Sequence, residues 1–147
     1  MSLENLLKNL ELLKKQIFWL NISYEQIKDI GIKQEYSIEE FGFYETACSR
    51  FSRSIDFLIR KMFRSIDAWE FENQGTLIDT VNNAHKRGLF EDVQLIREMK
   101  DLRNTISHEY EEEALIEVFQ DVLEYTPQLL TIMWQTMAYI VNLKFKM

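Results

Sequence analysis

A chain of 147 residues that is 46% hydrophobic and 13% aromatic is long enough to bury a core and too apolar for a disordered segment. With 4 glycines and 1 proline it lacks the turn residues of an all-β fold, and a net charge of −7 argues against binding nucleic acid over its whole surface. Its single cysteine, Cys48, can form no internal disulfide and fits a reducing cytoplasm; no uninterrupted apolar stretch reaches membrane-spanning length, and Glu4, Lys8, Glu11, Lys14 and Lys15 interrupt any signal-like run.

In chain order, Leu3, Leu6, Leu7, Leu10, Leu13 and Ile17 step by three and four, which predicts an amphipathic helix continuing through Phe18 and Leu20. Asn21-Ile22-Ser23 is expected to kink or end it, with Ser23 capping a second piece to about Gly31. Ser37 with Glu40 three residues on is a capping-box pattern. It opens a long helix to about Phe71 with Phe51, Ile55, Leu58 and Met62 as its apolar seam. Asn73-Gln74-Gly75 breaks that helix, and Thr76 caps a short one that Gly88 closes after Lys86-Arg87. A further helix starts near Glu91. After the acidic run Glu111 to Glu113 a final helix reaches Phe145, with Pro127 expected to kink or break it. No repeat, linker or low-complexity stretch divides the chain. The expected fold is all-α, an antiparallel up-and-down bundle of about four to five helices forming one domain, residues 1–147.

The stretch Arg103-Asn104-Thr105-Ile106-Ser107-His108-Glu109-Tyr110 concentrates groups able to hold a phosphate and move a proton. A guanidinium is always charged and its planar fork of donors matches phosphate oxygens. An imidazole titrates near neutrality and serves as general acid or base. On a helix, at about 100° per residue, Arg103, Ser107 and Tyr110 fall within a stripe of about 60°, and Asn104 and His108 lie one turn apart on the adjacent stripe. Leu95, Met99, Leu102 and Ile106 form the opposite, core-facing stripe.

Arg-Asn-x3-His-x-Tyr near the end of a helix, within a short all-α chain, resembles the HEPN superfamily, and more narrowly the HepT-like toxins and the nucleotidyltransferase substrate-binding proteins. Arg103, Asn104, His108 and Tyr110 fill the four positions of that pattern without departure. The resemblance implies a homodimeric, metal-independent endoribonuclease, the toxin of a toxin–antitoxin pair, needing no cofactor. Arg103 would hold the scissile phosphate, His108 would do general acid–base work and Asn104 would orient the phosphate or the other motif residues. The implied partner is a cognate MNT-type nucleotidyltransferase, which in that branch silences the toxin by adding AMP to the tyrosine, here Tyr110. The resemblance equally admits a non-catalytic subunit that completes a minimal nucleotidyltransferase and grips a nucleotide or the partner. A helical dimerisation module with no site is a third reading. Neither DNA nor a membrane is expected as a partner.

Arg53, Arg60 and Arg64 step by seven and four on the long second helix, so on a regular α-helix they share a face. With Arg97, Lys100 and Arg103 they would make a basic cleft inside an acidic protein if the two helices pack side by side. The structural alternative is a solvated face with scattered ion pairs. For the motif itself that alternative pairs Arg103 with Asp101, Glu98 or Glu109, uses His108 as a helix-end charge and makes Tyr110 a core aromatic. His85, beside Lys86 and Arg87, reads as an exposed helix-end charge, and Cys48 as a core residue. Trp19, Phe41, Phe43, Tyr44, Phe51, Phe57, Phe63, Trp69, Phe71 and Trp134 read mostly as core or dimer seam rather than as a base-stacking platform. No Cys/His spacing suits zinc, and no calcium loop or Gly-rich phosphate loop is present.

Overall fold

The computed structural model describes residues 3–70, 75–109 and 111–145. Every regular element among them is helical: α1 (Leu3–Ile30), α2 (Ile38–Phe57), a π-helical segment (Leu58–Phe63), α3 (Arg64–Trp69), α4 (Leu77–Lys86), α5 (Val93–His108) and α6 (Glu112–Phe145). Because α2, the π segment and α3 run on without interruption, the described residues form five helices.

Local hydrogen bonds set the boundaries. Ser37 Oγ accepts from the Glu40 N–H while the Glu40 carboxylate accepts from the Ser37 N–H, and Thr76 and Asp79 repeat the arrangement at the start of α4. Gly88 follows α4 at φ +79°, a backbone angle that penalises a Cβ. Asp92 caps α5 by accepting from the Gln94 N–H. The expected break after Phe71 falls at 71–74, outside the described residues, although α3 has already ended at Trp69.

Two expected interruptions do not occur. α1 passes straight through Asn21-Ile22-Ser23, where fully buried Ser23 accepts a hydrogen bond from Arg50 Nη1 at 2.9 Å instead of capping a helix. α6 passes through Pro127. Thr126, Leu129 and Leu130 are buried around it, and their packing outweighs the one backbone hydrogen bond that proline removes.

Cross-helix bonds fix the topology. Tyr44 donates to the Gly31 carbonyl, Arg50 to Ser23, Ser54 to Gln16, and Asn9 to Ser65, so α1 and the α2–π–α3 helix are antiparallel. Arg103 meets Asp56, and Tyr125 donates to Glu98, while Tyr139 donates to Glu70. With Phe119 stacked on Tyr44, α6 therefore runs parallel to α2 and antiparallel to α5. The result is the antiparallel up-and-down bundle of α1, α2, α5 and α6, with α4 laid against the π segment. Its core is aliphatic at the α1–α2 seam and aromatic at one end, where Phe119 stacks on Tyr44 at 4.5 Å and meets Tyr36 and Phe41 edge-on. At the other end Arg87 pairs with Asp67 at 2.6 Å and Glu70 at 2.5 Å, and Tyr139 braces Glu70 from α6. Among the described residues no helix is long and apolar enough to cross a membrane.

Candidate functional site

α5 buries Ile96, Met99 and Leu102 and half-buries Leu95 and Ile106, which leaves its other side for the polar motif. Arg103 and Ser107 lie one turn apart and interact: Arg103 Nη1 donates to Ser107 Oγ at 3.0 Å, and the hydroxyl donates back to the Arg103 carbonyl at 3.1 Å. The remaining donors of Arg103 reach across to α2. Its Nε and Nη2 both approach Asp56 Oδ2, at 2.9 and 2.8 Å. The arginine is thus held by a carboxylate 47 residues away, and by none of Asp101, Glu98 or Glu109.

This arrangement forms one wall of a cavity of about 370 Å³ between α2, the end of α5 and the start of α6. Arg53 joins Arg103 there, facing the carboxylates of Glu45, Asp56 and Glu109. Ser52 Oγ, also in the lining, is buried and finds no hydrogen-bond partner among the described residues. A buried hydroxyl without a partner is uncommon, and beside two guanidinium groups it is a ready contact for a polar ligand atom. Cys48 shares the lining, but burial first and Glu45 second push its thiol up to about 12, so it is no nucleophile at neutral pH.

Asn104 and His108 face elsewhere. Asn104 lines a groove of about 290 Å³ between α4 and α5, together with Leu77, Ile78, Arg97 and Lys100. His108 is exposed on the last residue of α5 and makes no hydrogen bond to a described residue. On the helix it sits about 140° from Arg103 and about 40° from Asn104. A single chain therefore presents Arg103 on one flank of α5 and Asn104 with His108 on the other. Tyr110 lies beyond the end of α5 and outside the described residues.

The expected single basic cleft is divided. Arg53 is beside Arg103, Lys100 is beside Asn104, and Arg60 and Arg64 line a third groove against α1. The π segment contains Arg60 and ends just before Arg64. Its wider turn takes up an extra residue and rotates everything after it by about 100° relative to an unbroken α-helix. The spacing that would align Arg53 with Arg64 on a regular α-helix no longer does so.

Of the aromatics read as core or dimer seam, Trp19 and Trp134 lie outside the core of the single chain, 49% and 54% exposed, and neighbouring Phe18 is 58% exposed. His85 is exposed as expected, and its Nε2 also bonds the Glu91 carbonyl at 2.9 Å, tying the end of α4 to the loop before α5. Among the described residues no three His, Cys, Asp or Glu side chains gather as a metal site. Comparison of the chain with protein-family models, with curated proteins and with solved structures finds no match.

Proposed function

We propose that the chain is a HEPN-type toxin, a metal-independent endoribonuclease working as a homodimer and neutralised by an MNT-type nucleotidyltransferase. The observation that carries this reading is the state of the last two turns of α5, where a fully oriented guanidinium and an unpartnered, exposed imidazole occur five residues apart. Arg103 is fixed by Asp56 and Ser107, so little entropy remains to be lost when a phosphate arrives. His108 is open to solvent, within reach of a substrate oxygen.

In the proposed reaction a neighbouring ribose 2′-hydroxyl gives its proton to His108 and its oxygen attacks phosphorus. The bond to the 5′-oxygen breaks, and that oxygen takes a proton from an imidazolium. The products are a 2′,3′-cyclic phosphate and a 5′-hydroxyl. Arg103 and Asn104 meet the charge that builds on the non-bridging oxygens. Because Arg103 and His108 occupy opposite flanks of α5, the reading pairs the arginine of one copy with the histidine of a second across a dimer axis.

The test is RNA cleavage by purified protein in chelator. Loss of cleavage in His108→Ala and Arg103→Ala, with cyclic phosphate ends on the wild-type products, supports the reading; intact RNA with wild-type protein defeats it. After co-expression with a cognate nucleotidyltransferase, an adenylate mass is expected on Tyr110, and modification confined to another residue refutes that assignment.

One observation favours a second reading, the non-catalytic nucleotidyltransferase subunit. Three carboxylates face two guanidinium groups in the cavity beside Arg103, a field that opposes a polyanion. Tight, stoichiometric binding of a nucleotidyltransferase by a protein that cuts no RNA would establish this alternative.

A further inference from the structure

The third groove has a composition unlike the rest of this acidic molecule. It runs between the N-terminal half of α1 and the π segment, encloses about 450 Å³, and is lined by Lys8, Arg60, Lys61 and Arg64 around Leu12 and Phe57. No carboxylate lines it. Lys8, Arg60 and Lys61 are exposed and form no ion pair or hydrogen bond with a described residue. Glu4 and Glu11, the acids nearest Lys8 on α1, lie about 40° and 60° from it around the helix, bordering the groove without lining it, and Glu11 is paired with Lys14. In a chain of net charge −7, such a cluster holds its charges together at an electrostatic cost that an anionic ligand would relieve.

The groove does not stop at the cations. Lys8, Leu12, Lys15 and Trp19 fall within about 60° on α1, so the strip continues about 16 Å to Trp19. There Arg50 lies over the indole at 4.9 Å and hydrogen-bonds Ser23, while Phe18 packs edge-on at 5.2 Å. Both aromatic residues remain about half exposed, Phe18 at 58% and Trp19 at 49%, although each is large enough to belong in a core. Positive charge along a groove with an open aromatic at its end is the combination that holds a flexible phosphate chain and stacks an unpaired base.

We infer that this α1–π-segment strip is a binding track for single-stranded nucleic acid. Lys8, Arg60 and Lys61 contact successive phosphates, and the Trp19–Phe18 pair takes a base. The track lies on the side of α2 away from Arg103, and it stands whether or not the α5 motif cleaves RNA.

A short 2′-O-methyl oligouridylate is the probe, because it lacks the free 2′-hydroxyl and separates binding from cleavage. Binding is read by fluorescence anisotropy of the end-labelled oligonucleotide across a salt series. Each phosphate contact on a single strand contributes roughly 0.7 to the log–log salt slope. The double variant Arg60→Gln/Lys61→Gln is therefore expected to flatten the slope by about 1.4 and weaken binding at low salt. Trp19→Ala is expected to weaken binding about tenfold with the slope unchanged, and Trp19→Phe to restore most of it. The single strand is expected to bind more tightly than a duplex of the same sequence. Binding unaffected by either variant, equal or tighter binding of the duplex, or no binding at low salt would overturn the proposal. Tighter binding of polyglutamate than of the oligonucleotide would also overturn it and assign the groove to an acidic protein. If RNA is never cut yet the oligonucleotide binds as described, only the proposed activity fails.

Discussion

Arg103 of α5 gives two of its N–H groups to the same oxygen of Asp56 on α2, at 2.9 and 2.8 Å. Both side chains are about one-third exposed, at 34% and 38%, which places the pair among those that stabilise a fold by less than about 1 kcal/mol. Its larger effect is to aim the guanidinium. We predict that Asp56→Ala lowers the melting temperature by no more than about 2–4 °C yet reduces RNA cleavage at least about tenfold. Asp56→Asn, which keeps a carbonyl acceptor, should retain most activity. A variant that loses stability while cleaving normally would make the pair a brace and nothing more.

The pairing at the far end of the bundle behaves differently. Asp67 is fully buried, Arg87 is 8% exposed, and Asn83 donates to Asp67 at 3.3 Å. Burial opposes the charge on Arg87, but the two carboxylates outweigh it and raise its pKa. Arg87→Met leaves Asp67 in the core without its guanidinium partner, a loss of about 3–5 kcal/mol. Adding Asp67→Asn removes that stranded carboxyl group, so the double variant is expected to be more stable than Arg87→Met alone. Strictly additive denaturation midpoints across the four proteins would contradict this coupling.

Alkaline stability tests the same region. Burial first, and then the hydrogen bond to Glu70, push the Tyr139 phenol up to about 12 from an ordinary value of 10.0. A folded-state pKa raised in this way contributes stability that is whole below about pH 10 and is lost as pH climbs from 10 towards 12. Tyr139→Phe should therefore be less stable than wild type at neutral pH, and the gap should close across that window. Phenolate absorbance followed beside unfolding reads both changes. A gap that stays constant to pH 12 would show that Tyr139 contributes by packing alone.

The aromatic end depends on Phe119, which is fully buried and in ring contact with Tyr36, Phe41 and Tyr44. Phe119→Ala removes the shared ring and leaves a cavity, for a cost of about 3–5 kcal/mol. Phe119→Leu fills part of the space and should lose less. Chemical denaturation measures both, and similar losses for the two would mean that the end collapses around the gap.

Features that depend on residues three or four apart were legible in the sequence. Both capping boxes, the Gly88 terminus and the buried face of α5 follow from local spacing. So does the placement of Arg103 beside Ser107. Features created by distant residues were not. Ser23 looked like a cap because serine caps helices, but its hydroxyl is committed to Arg50, 27 residues away. Asp56 gives no local sign of its pairing with Arg103. Pro127 would break an isolated helix and is tolerated because α6 is packed along its length. The exposure of Trp19 was also hidden, since an aromatic at helical spacing is compatible with core and surface alike. The π segment misled the charge pattern most, because periodicity counts residues and cannot see one absorbed in a wider turn.

That wider turn makes the long second helix two rods joined out of phase. Both rods pack along α1; the first also packs on α5 and α6, and the second on α4. One uninterrupted helix thereby aims two surfaces differently along a shared seam.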